Sequence, residues 1–270
     1  MLNLKNVGFA YSEEFSLKNI NFSVDQGELI AVVGKNGSGK TTLTRVIMAL
    51  TKLADGQISW EGRDLVGSQS ADLASLIGYV FQNPDLIFFH NTAEEEVLYG
   101  PRQLNFSTEK CQAAVSNAFA VMDLTGYEQH NPRLMTKGQK QRLAIACALA
   151  MEPKLYLLDE PTAGQDLPFR DRLMTMLRQL CEQGKSVMMV THDMEVLQKY
   201  ATRVLVLNQG SLVFDGPPAK LFQDPKQAAD WGLKVPDAYL LSNGLENAGI
   251  NATGSLVALA EQIRLRREQL

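Results

Sequence analysis

Five consecutive apolar residues, Leu29–Val33, run into a glycine-rich stretch, and this junction constrains the fold more than any other feature of the chain. A short, unbroken apolar run predicts a strand that is buried on both faces. Helical periodicity then begins at Thr41 and extends to about Leu50. A strand, a glycine-rich loop and a helix in this order are typical of a loop that wraps around an anion, because glycine allows successive N–H groups to point inward.

The glycine-rich stretch fits the pattern G-x-x-x-x-G-K-[S/T] of nucleotide phosphate sites. Its residues are Gly34, Lys35, Asn36, Gly37, Ser38, Gly39, Lys40 and Thr41. The positive end of the following helix also favours phosphate. We therefore predict that the Lys40 ammonium reaches the β- and γ-phosphates of a nucleotide and that the Thr41 hydroxyl ligates Mg²⁺.

Two acidic residues, Asp159 and Glu160, follow the apolar run Leu155–Leu158. A carboxylate at the end of a buried strand is costly unless it meets a cation, so Asp159 is predicted to bind Mg²⁺. Glu160 comes where the strand opens towards the nucleotide. It is the best candidate for the general base that polarises the attacking water.

A second polar loop, Met135–Gln139, leads directly into an amphipathic helix. Its polar residues have no evident partner nearby in the sequence. The start of a helix suits an anion, because the first N–H groups and the helix dipole both point at it. The loop is therefore a candidate anion site, although its residues alone do not say what presents the anion.

The rest of the chain predicts an α/β fold with a parallel core sheet, because short apolar strands alternate with helical segments. The predicted strands are Leu2–Phe9, Ser16–Val24, Gly56–Trp60, Leu155–Leu158, Val187–Val190, Arg203–Leu207 and Leu212–Phe214. Thr92–Thr125 is predicted to be mainly helical. The composition changes at Gly216, which predicts one domain over 1–220, with a helical subdomain at about 85–150, and a C-terminal helical appendage over 221–270.

Composition excludes several classes of protein. The net charge of −4 argues against a dedicated nucleic-acid binder. Three widely spaced cysteines match neither a disulfide framework nor a metal cluster. No run approaches the ~18 apolar residues of a membrane span, and the first residues do not have the pattern of a signal peptide.

Taken in order, these motifs resemble the nucleotide-binding subunit of an ATP-binding cassette (ABC) transporter, over about residues 1–220. The ordered set consists of the phosphate loop, Gln82 after Gly78–Phe81, Met135–Gln139 where the family has Leu-Ser-Gly-Gly-Gln, Asp159-Glu160-Pro161, the turn Ala163–Asp166, and His192. The resemblance implies a P-loop NTPase fold with N-terminal antiparallel strands, and a chain that binds and hydrolyses ATP with Mg²⁺.

The resemblance also implies roles for individual residues. Tyr11 matches the aromatic residue that stacks on adenine, and Gln82 matches the residue that approaches Mg²⁺ and the water. His192 matches the γ-phosphate switch residue, and Asp166 the turn aspartate that faces a partner subunit. The implied nucleotide-binding set is Tyr11, Gly34, Lys35, Asn36, Gly37, Ser38, Gly39, Lys40, Thr41, Thr42, Thr136, Gly138, Gln139 and Asp166. The implied metal ligands are Thr41, Gln82 and Asp159, and the implied catalytic residues are Glu160, His192 and Gln82.

The family further implies a head-to-tail dimer, either of two copies or with a sister ATPase. Two ATP molecules lie between the subunits, each held by the phosphate loop of one subunit and the Met135–Gln139 segment of the other. The family usually has glycine where this chain has Lys137, and lysine would be strained if the segment required positive φ. Lys137 either points to solvent and is tolerated, or it adds charge near the phosphate or marks a specialised subunit.

Three segments look like the energy-coupling factor (ECF) branch: Tyr79–Asp85, Thr92–Val97 and Tyr99–Pro101. This branch implies uptake of a vitamin or a transition-metal ion. It also implies a transmembrane scaffold and a substrate-binding membrane subunit as partners, and a peripheral location at the cytoplasmic face of the membrane. One departure is Ile87, which stands where the branch usually has glutamine. The last helix, with Leu256, Leu259 and Ile263 on one face, is a candidate dimer contact.

Other ABC importer ATPases share the catalytic motifs and remain an alternative. A soluble ABC ATPase that acts on DNA or ribosomes is a second alternative. Such proteins usually carry two cassettes or a coiled-coil insertion, and only about 120 residues separate Lys40 from Asp159. A nucleotide-binding regulator that does not hydrolyse ATP is a third, against which the presence of Glu160 and His192 argues.

Overall fold

The computed structural model describes residues 1–12, 15–244 and 256–268 of the chain, and at a few of these positions, including Tyr11, only the backbone is described. Within these ranges the strands, β1 to β10 in chain order, are Leu2–Ser12, Phe15–Val24, Leu29–Val33, Asp55–Trp60, Arg63–Asp64, Ile77–Val80, Leu155–Asp159, Ser186–Val190, Arg203–Asn208 and Ser211–Gly216. The α-helices, α1 to α11, are Lys40–Ile47, Ser70–Leu73, Ala93–Gln103, Thr108–Val121, Lys137–Ala150, Leu167–Glu182, Met194–Tyr200, Pro218–Leu221, Pro225–Asp230, Asp237–Gly244 and Leu256–Glu268.

The central sheet has six strands in the order β10-β9-β3-β8-β7-β6. Five of them are parallel, and β10 pairs antiparallel with β9 at one edge. Every residue of β3, β7 and β8 is buried, as the apolar runs Leu29–Val33, Leu155–Leu158 and Val187–Val190 predict. The predicted mixed sheet with a parallel core is confirmed. The carboxyl ends of β3, β6, β7 and β8 therefore meet at one edge, where ligands of open α/β sheets bind.

A second sheet of four strands, in the order β2-β1-β4-β5, is antiparallel throughout. This confirms the predicted antiparallel strands near the N-terminus. Ile30 and Val32 of β3 share a core cluster with residues of this sheet and of α1. Leu29, Ala31 and Val33 face the other way, into a cluster that holds residues of α3 to α7. The central sheet is thus covered on both faces.

The predicted helical region resolves into α3 and α4, which pack against each other and against α5. Val97, Val115, Phe119 and Leu143 are buried at these contacts and join the larger core cluster. Side-chain caps fix where the helices begin: Thr92 accepts from the N–H of Glu95, and Ser107 and Thr136 cap α4 and α5 in the same way. Packing and caps together hold the start of α5 in place.

The C-terminal segment packs against the main core through several side chains. Leu221, Phe222, Leu233 and Tyr239 are buried in the same cluster as β3. In α11, Leu259 is buried, whereas Ile263 is exposed. Residues 245–255, between α10 and α11, lie outside the described residues. In the described part of the chain, no helix has the length and apolar character needed to cross a membrane.

Candidate nucleotide site

Backbone conformation shapes the glycine-rich loop between β3 and α1. Gly34, Gly37 and Gly39 all have positive φ, at 145°, 79° and 108°. A Cβ on Gly34 would lie 2.0 Å from the carbonyl oxygen of Leu207, so only glycine fits there. Nothing lies within 4 Å of the position that a Cβ would take on Gly37, which leaves that part of the loop open. The loop therefore has the curled shape and free concave side that a phosphate requires.

Lys40 is folded back over this loop. Its Nζ donates to the carbonyl oxygens of Gly34 and Lys35 at 2.8 and 2.9 Å. Burial lowers the pKa of Lys40, whereas the charges of Glu160 and Asp159 act in the opposite direction. The ammonium is thus held inside the loop, where incoming phosphate oxygens would meet it.

Asp159 and the first turn of α1 form an oxygen-rich corner. The Thr41 hydroxyl donates to Asp159 Oδ2 at 2.8 Å. Asp159 is only 1% exposed, and its Oδ1 has no hydrogen-bond partner among the described residues. Burial raises the pKa of Asp159, and the Thr41 hydrogen bond and the Lys40 charge oppose this. A hydroxyl and a buried carboxylate with a free oxygen are ligands that suit Mg²⁺.

Glu160 leaves β7 on a left-handed backbone, with φ of 54°. Its N–H donates to the carbonyl of Val190, so the sheet ladder fixes this turn. Its Oε1 lies 3.4 Å from His192 Nε2, at the end of the adjacent strand β8. Burial, and then the charge of Asp159, raise the pKa of Glu160 to about 7. A side chain held in a sparsely populated backbone conformation with a perturbed pKa is a common sign of a functional site.

His192 completes this pair from the exposed side of the cleft. Burial lowers the pKa of His192, and the charge of Lys40 lowers it further. A neutral imidazole has one N–H, so His192 can donate to a phosphate oxygen, and its other nitrogen can accept from Glu160 when that carboxyl group is protonated.

These side chains open onto one cleft of about 480 Å³. Its lining residues are Asn36, Gly37, Gly39, Lys40, Thr41, Thr42, Gln82, Asp159, Glu160, Val190 and His192. The structure thus brings together ten residues that the sequence predicts for a nucleotide, metal or catalytic role. Gly34, Lys35 and Ser38 belong to the loop but do not line the cleft, and the Tyr11 side chain lies outside the described residues.

A second cleft, of about 710 Å³, lies at the start of α5. Its lining residues are Asp123, Thr125, Tyr127, Thr136, Lys137, Gly138, Gln139, Arg142, Gly164, Gln165 and Asp166. The two clefts share no lining residue. Thr136, Gly138, Gln139 and Asp166, which the sequence predicts to bind nucleotide, are therefore apart from the phosphate loop of the same chain.

The start of α5 is held by a reciprocal cap. Gln139 N–H donates to Thr136 Oγ1 at 3.3 Å, and Thr136 N–H donates back to Gln139 Oε1 at 2.9 Å. Lys137 is the first residue of the helix and is exposed, and neither it nor Gly138 has positive φ. The condition under which Lys137 would be strained is therefore not met, because the cap places this position in ordinary helical backbone.

Gln165 lies in the turn Ala163–Asp166, and its role is not evident from the sequence. Gln165 Nε2 donates to the Gly138 carbonyl at 3.0 Å, and its Oε1 accepts from Arg142 Nε at 3.2 Å. The next residue, Asp166, caps α6 by accepting from Phe169 N–H at 2.8 Å. The turn and the start of α5 are thus joined by one amide, a link that only the folded geometry reveals.

A protein-family model described as "ABC transporter" matches residues 17–163 of this chain. The matched residues include the phosphate loop and both acidic residues of the cleft. The chain belongs to the ABC transporter family. It has that family's P-loop fold.

Two relatives illustrate the range of the match. A putative ABC transporter ATP-binding protein of Pyrococcus furiosus is 43% identical over 91% of this chain and 94% of its own length. The ECF transporter ATP-binding protein EcfA2 of Clostridium perfringens is 35% identical over 92% of this chain and 89% of its own. Two Methanosarcina relatives are longer, and the chain spans 41% and 39% of their length.

Solved structures agree with the fold. The structure of cbiO1 from Clostridium perfringens, part of the ABC transporter complex cbiONQ, aligns with a TM-score of 0.73 and 29% identity over 87% of this chain and 96% of its own. A dimeric ATP-binding cassette in a post-hydrolysis state, bound to ADP and Pi, aligns with a TM-score of 0.73 and 30% identity. That alignment covers 81% of this chain and 99% of the cassette.

Proposed function

We propose that this chain hydrolyses ATP to power uptake by an ECF-type importer, as one of two ATPase subunits bound to membrane proteins. The observation that carries the proposal is the cleft in which Lys40, Asp159, Glu160 and His192 converge. A phosphate loop, a metal corner and a candidate base around one cavity are the parts that phosphoryl transfer to water requires.

Each side chain has a defined task in this proposal. Lys40 and the loop N–H groups neutralise the β- and γ-phosphates, and Thr41 and Asp159 hold Mg²⁺. The metal supplies positive charge to the phosphate oxygens. Glu160 accepts a proton from the attacking water, for which a pKa of about 7 is well matched near neutral pH. His192 contacts the γ-phosphate and Glu160 from the same side.

The second cleft supplies the other half of the site in this proposal. Thr136, Gly138 and the positive end of α5 meet the γ-phosphate of an ATP that a second subunit holds in its phosphate loop. Two observations support this arrangement: the two clefts of one chain are separate, and the similar cassette bound to ADP and Pi is a dimer. ATP then favours the closed dimer, and hydrolysis releases it.

The name of EcfA2 and the membership of cbiO1 in a transporter complex support the ECF branch. The proposed cargo is a vitamin or a transition-metal ion, and the proposed partners are a transmembrane scaffold and a substrate-binding membrane subunit. The proposed location is the cytoplasmic face of the membrane. The runner-up is an ATPase of another ABC importer, and a soluble ABC ATPase comes after it.

Glu160→Gln tests the catalytic part of the proposal. We expect ATP turnover to fall at least about 100-fold while ATP binding persists, because the amide cannot accept the proton of the water. Glu152→Gln is a matched control, since Glu152 also has positive φ, at 51°, but lies outside both clefts. Turnover in the Glu160→Gln chain equal to that of the control would remove Glu160 from the role of base.

Co-purification tests the transport part. A tagged chain, expressed in its own cells and extracted with detergent, is expected to bring down a small transmembrane scaffold protein. Recovery without any membrane protein would favour the soluble class instead.

A further inference from the structure

A hydrogen-bonded link runs behind the metal corner from the Tyr79 hydroxyl, through the Thr44 hydroxyl, to the backbone carbonyl of Thr41. The Tyr79 hydroxyl lies 3.1 Å from Thr44 Oγ1, and Thr44 Oγ1 donates to the Thr41 carbonyl at 2.9 Å. Since a threonine hydroxyl has only one proton, Tyr79 must be the donor to Thr44. The side chain of the same residue, Thr41, donates its hydroxyl to Asp159, so the two hydrogen bonds are joined through the covalent frame of Thr41.

This hydrogen-bonded link from Tyr79 to Thr41 runs through the interior of the protein. Thr44 is fully buried, and Tyr79 packs on the core cluster beneath the antiparallel sheet. Burial raises the pKa of Tyr79, so the phenol keeps the proton that it donates. Loss of the Tyr79 hydroxyl removes the hydrogen bond that Thr44 Oγ1 accepts, so Thr44 then keeps only its bond to the Thr41 carbonyl.

The hydrogen bonds of Tyr79, Thr44 and Thr41 connect three elements that converge at the cleft: β6, β7 and α1. Tyr79 lies on β6, which leads to Gln82 at the cleft wall three residues later. Its register partner on β7 is Leu157, and β7 ends at Asp159. Thr44 and Thr41 lie on α1, directly after the phosphate loop. One phenol hydroxyl thus fixes the separation between the strand before Gln82 and the helix that begins at the loop.

We propose that Tyr79 and Thr44 are positioning residues of the nucleotide site, which act through Thr41 on the Mg²⁺ corner. The inference rests on the proposed function, because it takes Thr41 and Asp159 as the metal ligands. Neither Tyr79 nor Thr44 lines the cleft, so neither contacts the reacting atoms. Their effect is therefore on metal-dependent ATP binding and not on binding of ATP alone.

Tyr79→Phe is the direct test, and Tyr156→Phe is its matched control. Tyr156 lies on the adjacent strand, pairs in register with Gly78 and is buried, but it joins the core cluster on the opposite face of the sheet. The readout is the Kd of ATP for the full chain, measured with Mg²⁺ and again with EDTA, together with the midpoint of thermal unfolding.

We expect Mg²⁺ to tighten ATP binding about threefold to tenfold less in the Tyr79→Phe chain than in the wild type, the equivalent of one net hydrogen bond. The Kd in EDTA should stay within about twofold of the wild-type value. Thr44→Val should reduce the effect of Mg²⁺ on ATP binding by the same factor. The double variant Tyr79→Phe/Thr44→Val should show little further reduction, because both changes break the same hydrogen-bonded link. Thr44→Ser, which keeps the hydroxyl, should retain the full effect of Mg²⁺.

Two results would overturn the inference in distinguishable ways. If Mg²⁺ tightens ATP binding by the same factor in the Tyr79→Phe and Tyr156→Phe chains, then Tyr79 contributes only to packing of the core. This conclusion holds whatever the thermal midpoints of the two variants. If the wild-type chain itself binds ATP equally with Mg²⁺ and with EDTA, then the proposed site fails, and the inference fails with it.

Discussion

Glu160 combines two unusual properties, a left-handed backbone and a buried carboxyl group beside Asp159. The second has a consequence for stability that is separate from catalysis. The pKa of Glu160 rises from 4.5 to about 7 on folding. Between these two values the folded chain binds more protons than the unfolded chain does. The contribution of Glu160 to stability is therefore fully present below pH 4.5 and is lost as the pH rises through 7.

We predict that Glu160→Gln makes the chain more stable at pH 8, by about 1–3 kcal/mol, and has little effect at pH 4.5. The amide removes the cost of holding a carboxylate in the cleft. Urea unfolding at several pH values, with EDTA and without nucleotide, measures the difference. Glu61→Gln is the control, since Glu61 has a similar φ of 49° but a side chain that is 58% exposed. Equal pH profiles for the two variants would contradict the prediction.

The sequence predicts those cleft residues whose role can be recognised from a short motif of neighbouring residues. Asp159 and Glu160 follow an apolar strand, and Lys40 closes a glycine pattern, so neighbouring residues alone carry the signal. Tyr79 and Gln165 could not be found this way. Their partners, Thr44 and Gly138, are 35 and 27 positions away. Such links depend on which strands and helices become neighbours, and that is settled by the fold.

The turn between β9 and β10 joins three elements through Gly210. Its N–H donates to the Ser38 carbonyl of the phosphate loop at 3.1 Å, and its carbonyl accepts from Lys18 N–H on β2 at 2.8 Å. A Cβ on Gly210 would lie 1.8 Å from the Ser16 carbonyl oxygen, and φ is 78°. The predicted strands Arg203–Leu207 and Leu212–Phe214 flank this turn, but its contact with the loop appears only in the fold.

We predict that Gly210→Ala destabilises the chain by more than about 2 kcal/mol and weakens ATP binding, because the turn must move away from Ser16 and thereby loses its hydrogen bond to Ser38. Gly62→Ala is the control, since Gly62 has a similar φ of 84° but open space around it. Its cost should be only the ~1–2 kcal/mol of left-handed backbone, with ATP affinity unchanged. Denaturant unfolding and ATP titration measure both effects. The prediction fails if the two alanine variants are equally stable.

The sequence predicts the boundaries of a strand closely where the strand is a short apolar run between polar or glycine residues. The strand β3 is apolar throughout, β7 and β8 are apolar except for one terminal residue each, Asp159 and Ser186, and all three are buried throughout. The two-residue strand β5 and the four-residue helix α2 have no such pattern, since they are too short to display one. Their place follows from pairing with β4 and from the cap of Gln69, which are tertiary and local details that periodicity does not report.

At the scale of the whole molecule, the core extends past the region that the family model matches. Phe222 is fully buried in the cluster that also contains β3 residues and α6. The C-terminal segment therefore contributes to the stability of the whole domain as far as Tyr239. The proposed boundary near residue 220 accordingly marks a change of composition and not a break in the core.

We predict that Phe222→Ala lowers the free energy of unfolding by about 3–5 kcal/mol, through lost burial and the cavity that it leaves. Leu240→Ala is the control in the same segment, since Leu240 is 52% exposed and should cost about 0.5 kcal/mol or less. Urea unfolding followed by circular dichroism compares them. A separate, earlier transition in the Phe222→Ala chain would mean that the segment unfolds independently of the ATPase core.

The cap of α5 has a consequence for how the sequences of sister ATPase subunits can come to differ. Because Thr136 and Gln139 hold the first turn, the position of Lys137 has ordinary helical backbone and an exposed side chain. Its identity is therefore free of the folding constraint that fixes the glycines of the phosphate loop. Two sister subunits that descend from one ancestor can acquire different charges there without a penalty in the helix. The segment thus offers a position at which paired ATPases can become functionally unequal while their folds stay the same.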